Sequence, residues 1–199
     1  EPATFHENTR LEVIWTVIPI VILVVMAIPA TSTLRDMYEA GESDLDIEVR
    51  GYQWKWQYTY LNDDPAKEIQ FMSALRTSQD EINNLENKGE HYLLDVDNPL
   101  VIPINKRVRF LVTAQDVIHA FWVPDFAVKK DAIPGFVHEA WTVVEEPGIY
   151  RGQCAELCGK DHGFMPIVVR AVPEHEYAMW VAEKQQEAQA AFETVGKTW

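Results

Sequence analysis

The chain has 199 residues, 47% of them hydrophobic and 24% charged, enough for one membrane segment and one domain of ordinary size with a true core. Its 31 acidic residues outnumber 17 basic ones, for a formal net charge of −14. That balance argues against nucleic acid as a partner and makes a basic protein a natural one. The first residue is Glu1 rather than Met, as expected of a processed form or of part of a longer product.

From Val13 to Leu34 no side chain is charged, with Glu12 and Arg35 at the flanks. That length predicts a helix spanning a hydrocarbon core. Pro19 and Pro29 suit a membrane helix better than a soluble one, where they would break it. A signal peptide would want a positive start, which Glu7 and Glu12 oppose, and a buried core helix would be shorter. Arg10 and Arg35 balance, so charge does not orient the span.

An acidic linker with Gly41 follows, and Leu45 to Val49 then alternate as a half-buried strand does. After Gly51, the rings of Tyr52, Trp54, Trp56, Tyr58 and Tyr60 fall on one face of a second predicted strand, as in a face packed on a core. Ser73 to Asn98 is polar and predicts a long excursion from the sheet with a short helix, for which an acidic docking rim and a lineage-specific ornament both fit. Strand signals return at Leu100 to Ile104 and, after the turn Asn105-Lys106, at Val108, Phe110 and Val112.

His119 lies between Ile118 and Ala120; a lone histidine in such a run is more often a satisfied core residue than a ligand. Val128 to Gly135 reads as a charged surface turn ending in Pro134-Gly135. Strands are expected at Val137 to Val144, Gly148 to Gly152 and Ile167 to Val172. After Pro173, Glu174 to Glu193 predicts a terminal helix with Tyr177, Trp180 and Val181 as its packing stripe. His6, His91, His138 and His175 read as surface residues.

Between the last strands, Cys154, Cys158, His162 and Met165 gather two thiols, an imidazole and a thioether, the soft ligands that copper and zinc prefer. One copper needs only one thiolate, so two cysteines able to bridge suggest two coppers sharing both sulfurs. Gly159 and Gly163 suit a loop that folds back on itself. Three other readings stand beside this one. The two cysteines could pair as a disulfide, Cys154, Cys158 and His162 could hold zinc, and Met165 could be core.

The run Gln153-Cys154-Ala155-Glu156-Leu157-Cys158-Gly159, with His162 and then Phe164-Met165-Pro166, resembles the dinuclear copper (CuA) loop of subunit II of cytochrome c oxidase. The likeness extends further. Glu12 to Pro19 is similar to the start of that subunit's second membrane helix, Gly51 to Tyr58 to its aromatic segment, and Val117 to Pro124 to its first-ligand strand. Val128 to Gly135 is also similar. The resemblance runs from about Glu12 to about Val172, broken at Ser73 to Asn98. Members of the family carry an earlier helix, so anchoring by one helix is expected of the residues at hand.

The resemblance implies a mainly β fold: a cupredoxin-like Greek-key β-sandwich tethered by an N-terminal transmembrane helix, with a C-terminal helix. Its divisions would be an anchor and linker over residues 1–43, a CuA domain over 44–173 and a terminal helix over 174–199. It implies Cys154 and Cys158 as bridging thiolates, His119 and His162 as terminal imidazoles, Met165 as a weak thioether and the Glu156 carbonyl as the remaining copper ligand. The Glu156 carboxylate would hold a magnesium ion shared with subunit I. Trp54 would be the electron entry from cytochrome c, Glu12 would lie at the entrance of a proton pathway, and Asp131 would face subunit I. Without the resemblance, Glu12 reads as a carboxylate suited to a helix N-terminus.

The function implied is electron transfer within an aa3-type respiratory oxidase coupled to proton pumping. Haem and oxygen chemistry would lie in subunit I, and no residue here would be catalytic. Partners would be subunit I, other oxidase subunits, cytochrome c and the membrane. The implied location is the bacterial plasma membrane with the copper domain on the periplasmic side, the mitochondrial inner membrane being the alternative. A membrane-anchored copper carrier or thiol–disulfide protein rarely combines two thiolates, two distant imidazoles and an aromatic strand. Quinol-oxidase relatives have lost the copper ligands, all present here, and the CuA domain of nitrous oxide reductase matches the membrane helix less well.

Overall fold

The computed structural model describes residues 2–4, 6–39 and 41–196, with side chains through residue 188. It falls into two compact units, Glu1–Glu39 and Ala40–Trp199. The first is built on helix α1, Thr9–Tyr38, which has no buried residue and carries Pro19 and Pro29 inside it. Its 30 residues make a rod of about 45 Å, longer than the roughly 30 Å of a hydrocarbon core. The helix start is closed reciprocally. Asn8 accepts the Leu11 N–H at 3.2 Å, and the Glu12 carboxylate accepts the Asn8 N–H at 3.2 Å.

The second unit holds ten strands among the described residues: β1 (Leu45–Tyr52), β2 (Lys55–Tyr60), β3 (Ile69–Ser73), β4 (Leu100–Pro103), β5 (Arg107–Ala114), β6 (His119–Val123), β7 (Val128–Ala132), β8 (His138–Val143), β9 (Gly148–Cys154) and β10 (Pro166–Val172). They form two five-stranded sheets, ordered β3-β2-β1-β5-β8 and β4-β10-β9-β6-β7. The pairs β1–β5 and β4–β10 are parallel, and the others are antiparallel. The sheets share a core in which Ile47, Trp56, Tyr58, Phe110, Phe121 and Ile167 are fully buried. This is the sandwich that the family resemblance implied, where the alternation of residues alone predicted only strands, and it is closed at one edge by a helix. That helix, α3 (Glu174–Gly196), lays Trp180 on Tyr60 with ring centroids 5.0 Å apart, and Tyr177 and Val181 flank it.

Two sequence expectations change. The aromatic run is no single strand: Tyr52 ends β1, Gln53 and Trp54 make the turn, and β2 carries Trp56, Tyr58 and Tyr60 into the core. A turn of two residues preserves the even spacing of the rings, so alternation passes through it unmarked. Residues 128–132, read as a charged turn, form edge strand β7 paired with β6. Lys129 and Lys130 are the residues that edges tolerate. The excursion at residues 73–98 carries the expected short helix, α2 (Gln79–Ile82), closed by a Ser78–Glu81 capping box.

Candidate metal centre

Strand pairing creates the site. Phe121 of β6 is paired with Cys154 at the end of β9, and the Ala155 N–H bonds to the Ala120 carbonyl at 3.0 Å. His119, at the start of β6, is thereby set beside the loop that leaves β9. The loop returns to β10 with its two ends tied by the Cys154 N–H to the Met165 carbonyl, 3.1 Å.

Within this frame the His119 Nδ1 lies 3.9 Å from the Cys154 sulfur, the Cys158 sulfur 3.8 Å from that of Cys154, and the His162 Nδ1 3.6 Å from the Cys158 sulfur. The Glu156 carbonyl oxygen is 3.3 Å from the Cys154 sulfur, and the Glu156 side chain is exposed. His119, Cys154, Cys158 and Met165 are all buried. Neither cysteine is in a disulfide.

The donor set fits a pair of soft ions. Two donors bound to one ion at about 2.0–2.3 Å stand roughly 3.5 Å apart, and each histidine–cysteine pair has about that spacing. The two pairs lie on either side of a sulfur–sulfur contact, so both thiols can serve both ions. Burial raises the Cys154 thiol, but hydrogen bonding with the His119 ring and with nearby backbone outweighs it, and the net shift is downward. Burial and then the Cys154 charge push Cys158 up. Two adjacent buried thiolates need a cation between them.

Three residues that sequence reasoning passed over complete the site. Asp116 accepts from the His119 Nε2 at 2.9 Å, leaving Nδ1 turned to the sulfur. Gln53 donates its backbone N–H to Asp116 at 2.8 Å and its side-chain amide to the Cys158 carbonyl at 2.8 Å. Gly51 makes room for His119: a Cβ there would stand 2.7 Å from the imidazole Cδ2. The spacing of Asp116 three residues before His119 was a visible signal; Gly51 and Gln53 reach the site from the distant end of β1 and the turn that follows it.

The remaining expected residues are placed as follows. Trp54 is partly buried, and its indole N–H donates to the Cys158 carbonyl at 3.2 Å. Met165 is packed in the core next to the loop. Asp131 is exposed on β7, and its carbonyl accepts from His138 Nδ1 at 2.8 Å. Glu12 belongs to the helical unit, at the first turn of α1.

The chain is similar to known proteins. A family model described as cytochrome c oxidase subunit II, periplasmic domain, matches residues 45–172, and one described as the transmembrane domain of the same subunit matches residues 1–32. A probable cytochrome c oxidase subunit 2 of Rickettsia bellii is 48% identical over 187 residues, covering 94% of this chain and 66% of its own length. Cytochrome c oxidase subunit 2 of Metridium senile is 43% identical over 181 residues, covering 91% and 71%. The chain spans 57% to 66% of the length of its rickettsial relatives. The crystal structure of the periplasmic domain of subunit II of cytochrome oxidase of Bradyrhizobium japonicum superposes with a TM-score of 0.64 at 42% identity, covering 74% of this chain and 98% of that one. A mixed-disulfide intermediate between a thioredoxin-like protein and subunit II of cytochrome c oxidase gives a TM-score of 0.59 at 42% identity, covering 74% and 94%. With both its membrane helix and its β domain matched, the chain belongs to the cytochrome c oxidase subunit II family.

Proposed function

We propose that the chain is the electron-transfer subunit of an aa3-type oxidase, taking electrons from cytochrome c and passing them to haem in subunit I, where oxygen reduction drives proton pumping. The observation that carries this is the pair of histidine–cysteine contacts, 3.9 and 3.6 Å, on either side of one sulfur–sulfur contact. When bound, two coppers supply a one-electron centre whose charge is shared, so that each bond adjusts little. Cys154 and Cys158 would bridge them, His119 and His162 would each hold one, and Met165 and the Glu156 carbonyl would complete the set.

The chain's own residues do the rest. Asp116 fixes the His119 ring through Nε2. Burial of His119, Cys154, Cys158 and Met165 keeps water from the donors and limits rearrangement. Trp54 receives the electron, joined to the loop through its hydrogen bond to the Cys158 carbonyl. The exposed Glu156 carboxylate is free to hold magnesium against subunit I, with Asp131 at that same contact. Glu12 would stand at the proton entrance. The net charge of −14 steers a basic cytochrome c towards the surface. The rickettsial relatives favour a bacterial plasma membrane, and the β domain would stand on its periplasmic side.

The test is to load the full chain in detergent with copper, mix it with reduced cytochrome c and follow haem oxidation by stopped flow. One electron should be taken up per chain, at a second-order rate that falls steeply as ionic strength rises from about 0.01 to 0.15 M. A chain that holds copper and takes no electron would contradict the proposal.

A further inference from the structure

Gln53 is exposed, lies outside the core and is none of the expected ligands, yet it touches both halves of the metal centre. Its backbone N–H donates to Asp116 Oδ2 at 2.8 Å, and the other oxygen of that carboxylate holds His119 Nε2 at 2.9 Å. Its side-chain amide donates at 2.8 Å to the Cys158 carbonyl, the acceptor that also takes the Trp54 indole N–H at 3.2 Å. Gly159 approaches both side chains closely; a Cβ there would stand 3.0 Å from Gln53 Nε2 and from Trp54 Cζ2.

We infer that Gln53 is a positioning residue for electron entry. Its amide fixes the Cys158 carbonyl where the Trp54 indole reaches it, so that one hydrogen bond and the backbone and side chain of Cys158 join the ring to the Cys158 sulfur. This rests on the reading of the site as a copper centre with Trp54 as its entry. An electron arriving at Trp54 from a one-electron haem donor crosses that contact without a proton moving. The 2.8 Å bond from Gln53 is shorter than the 3.2 Å bond it supports, which suits an anchor holding the carbonyl for a weaker donor. Because the side chain is exposed, replacing it leaves the core untouched.

The experiment compares wild type with Gln53→Met, which keeps length and loses the donor, and with Gln53→Glu, which keeps shape and offers an acceptor to the carbonyl. Each full-length chain is loaded with copper in detergent, its copper content and paramagnetic resonance spectrum are recorded, and the rate of electron uptake is measured over a range of reduced cytochrome c. Both variants should keep the wild-type copper content and spectrum. Their saturating rate should fall about fivefold, the factor by which losing one ordinary hydrogen bond of about 1 kcal/mol lowers the joined arrangement. The cytochrome concentration giving half the saturating rate should hold in the uncharged Gln53→Met, while the added charge of Gln53→Glu should lower it. A role in docking alone would move that concentration in Gln53→Met and spare the saturating rate, and would overturn the inference. So would wild-type rates in both variants, or copper loss from both. A wild-type chain without a copper pair would overturn the parent reading and this inference with it. A wild-type pair with unaffected variants would overturn the inference alone.

Discussion

Two glycines of the site should respond to alanine in opposite ways. At Gly51, on β1, a Cβ would lie 2.7 Å from His119 Cδ2, 2.9 Å from Cγ and 3.1 Å from Cβ. His119 is fully buried and held by Asp116, and its ring meets Trp56 at 6.0 Å between centroids, so it cannot swing clear. Gly51 is itself paired with Trp56 on one side and Ala114 on the other, so the strand cannot yield either. Overpacking of that kind costs about 1–3 kcal/mol, which for a unit of this size is a fall in Tm of roughly 3–10 °C. At Gly163, inside the metal loop, nothing lies within 4 Å of the position a Cβ would take. Alanine there should be neutral or stabilising by up to about 1 kcal/mol through the unfolded chain. Thermal unfolding of the metal-free full chain in detergent, followed by circular dichroism, separates the two. Gly51→Ala melting with wild type, or Gly163→Ala falling as far as Gly51→Ala, would refute this packing around His119.

Tyr60 bridges the sheets: its hydroxyl donates to the Val101 carbonyl at 2.7 Å and accepts the Val101 N–H at 2.9 Å, all of it buried. Tyr60→Phe should cost about 1–3 kcal/mol by stranding both backbone groups, read as a lower denaturant midpoint with unchanged slope. The Arg109 guanidinium, bonded to Asp46 at 2.9 Å through Nε, is the largest of the influences that hold the Asp46 carboxyl below its ordinary range, against burial. With a lowered folded value, this stability is present above the unfolded carboxyl range near pH 4 and is lost as pH falls through the folded value. Both side chains are about a quarter exposed, so Asp46→Asn should cost about 1 kcal/mol at neutral pH. The gap to wild type should close below about pH 4 in pH-dependent denaturant melts.

What the sequence disclosed depends on the range over which each feature is encoded. The Cys154–Met165 donors sit in one loop, so residue type and spacing alone pointed to soft metal ions. The membrane helix is a composition signal and equally local. His119 was ambiguous on its own, because only the pairing of β6 with β9 sets it beside Cys154. Gln53 lies 105 residues from Cys158, and no local pattern marks an amide that will reach a carbonyl so far along the chain. Gly51 was visible as a glycine, but the histidine it makes room for was not. The hairpin at Gln53 and Trp54 stayed hidden because its turn keeps the parity of the aromatic alternation, and β7 because an edge strand tolerates the charges that usually mark a turn.

The most direct measurement is copper quantification with an electron paramagnetic resonance spectrum of the oxidised full chain in detergent. Two copper ions per chain, with the hyperfine multiplet of one electron shared equally by two copper nuclei, is the expected result. A single copper with the pattern of one nucleus, or no copper and a Cys154–Cys158 disulfide, would contradict it.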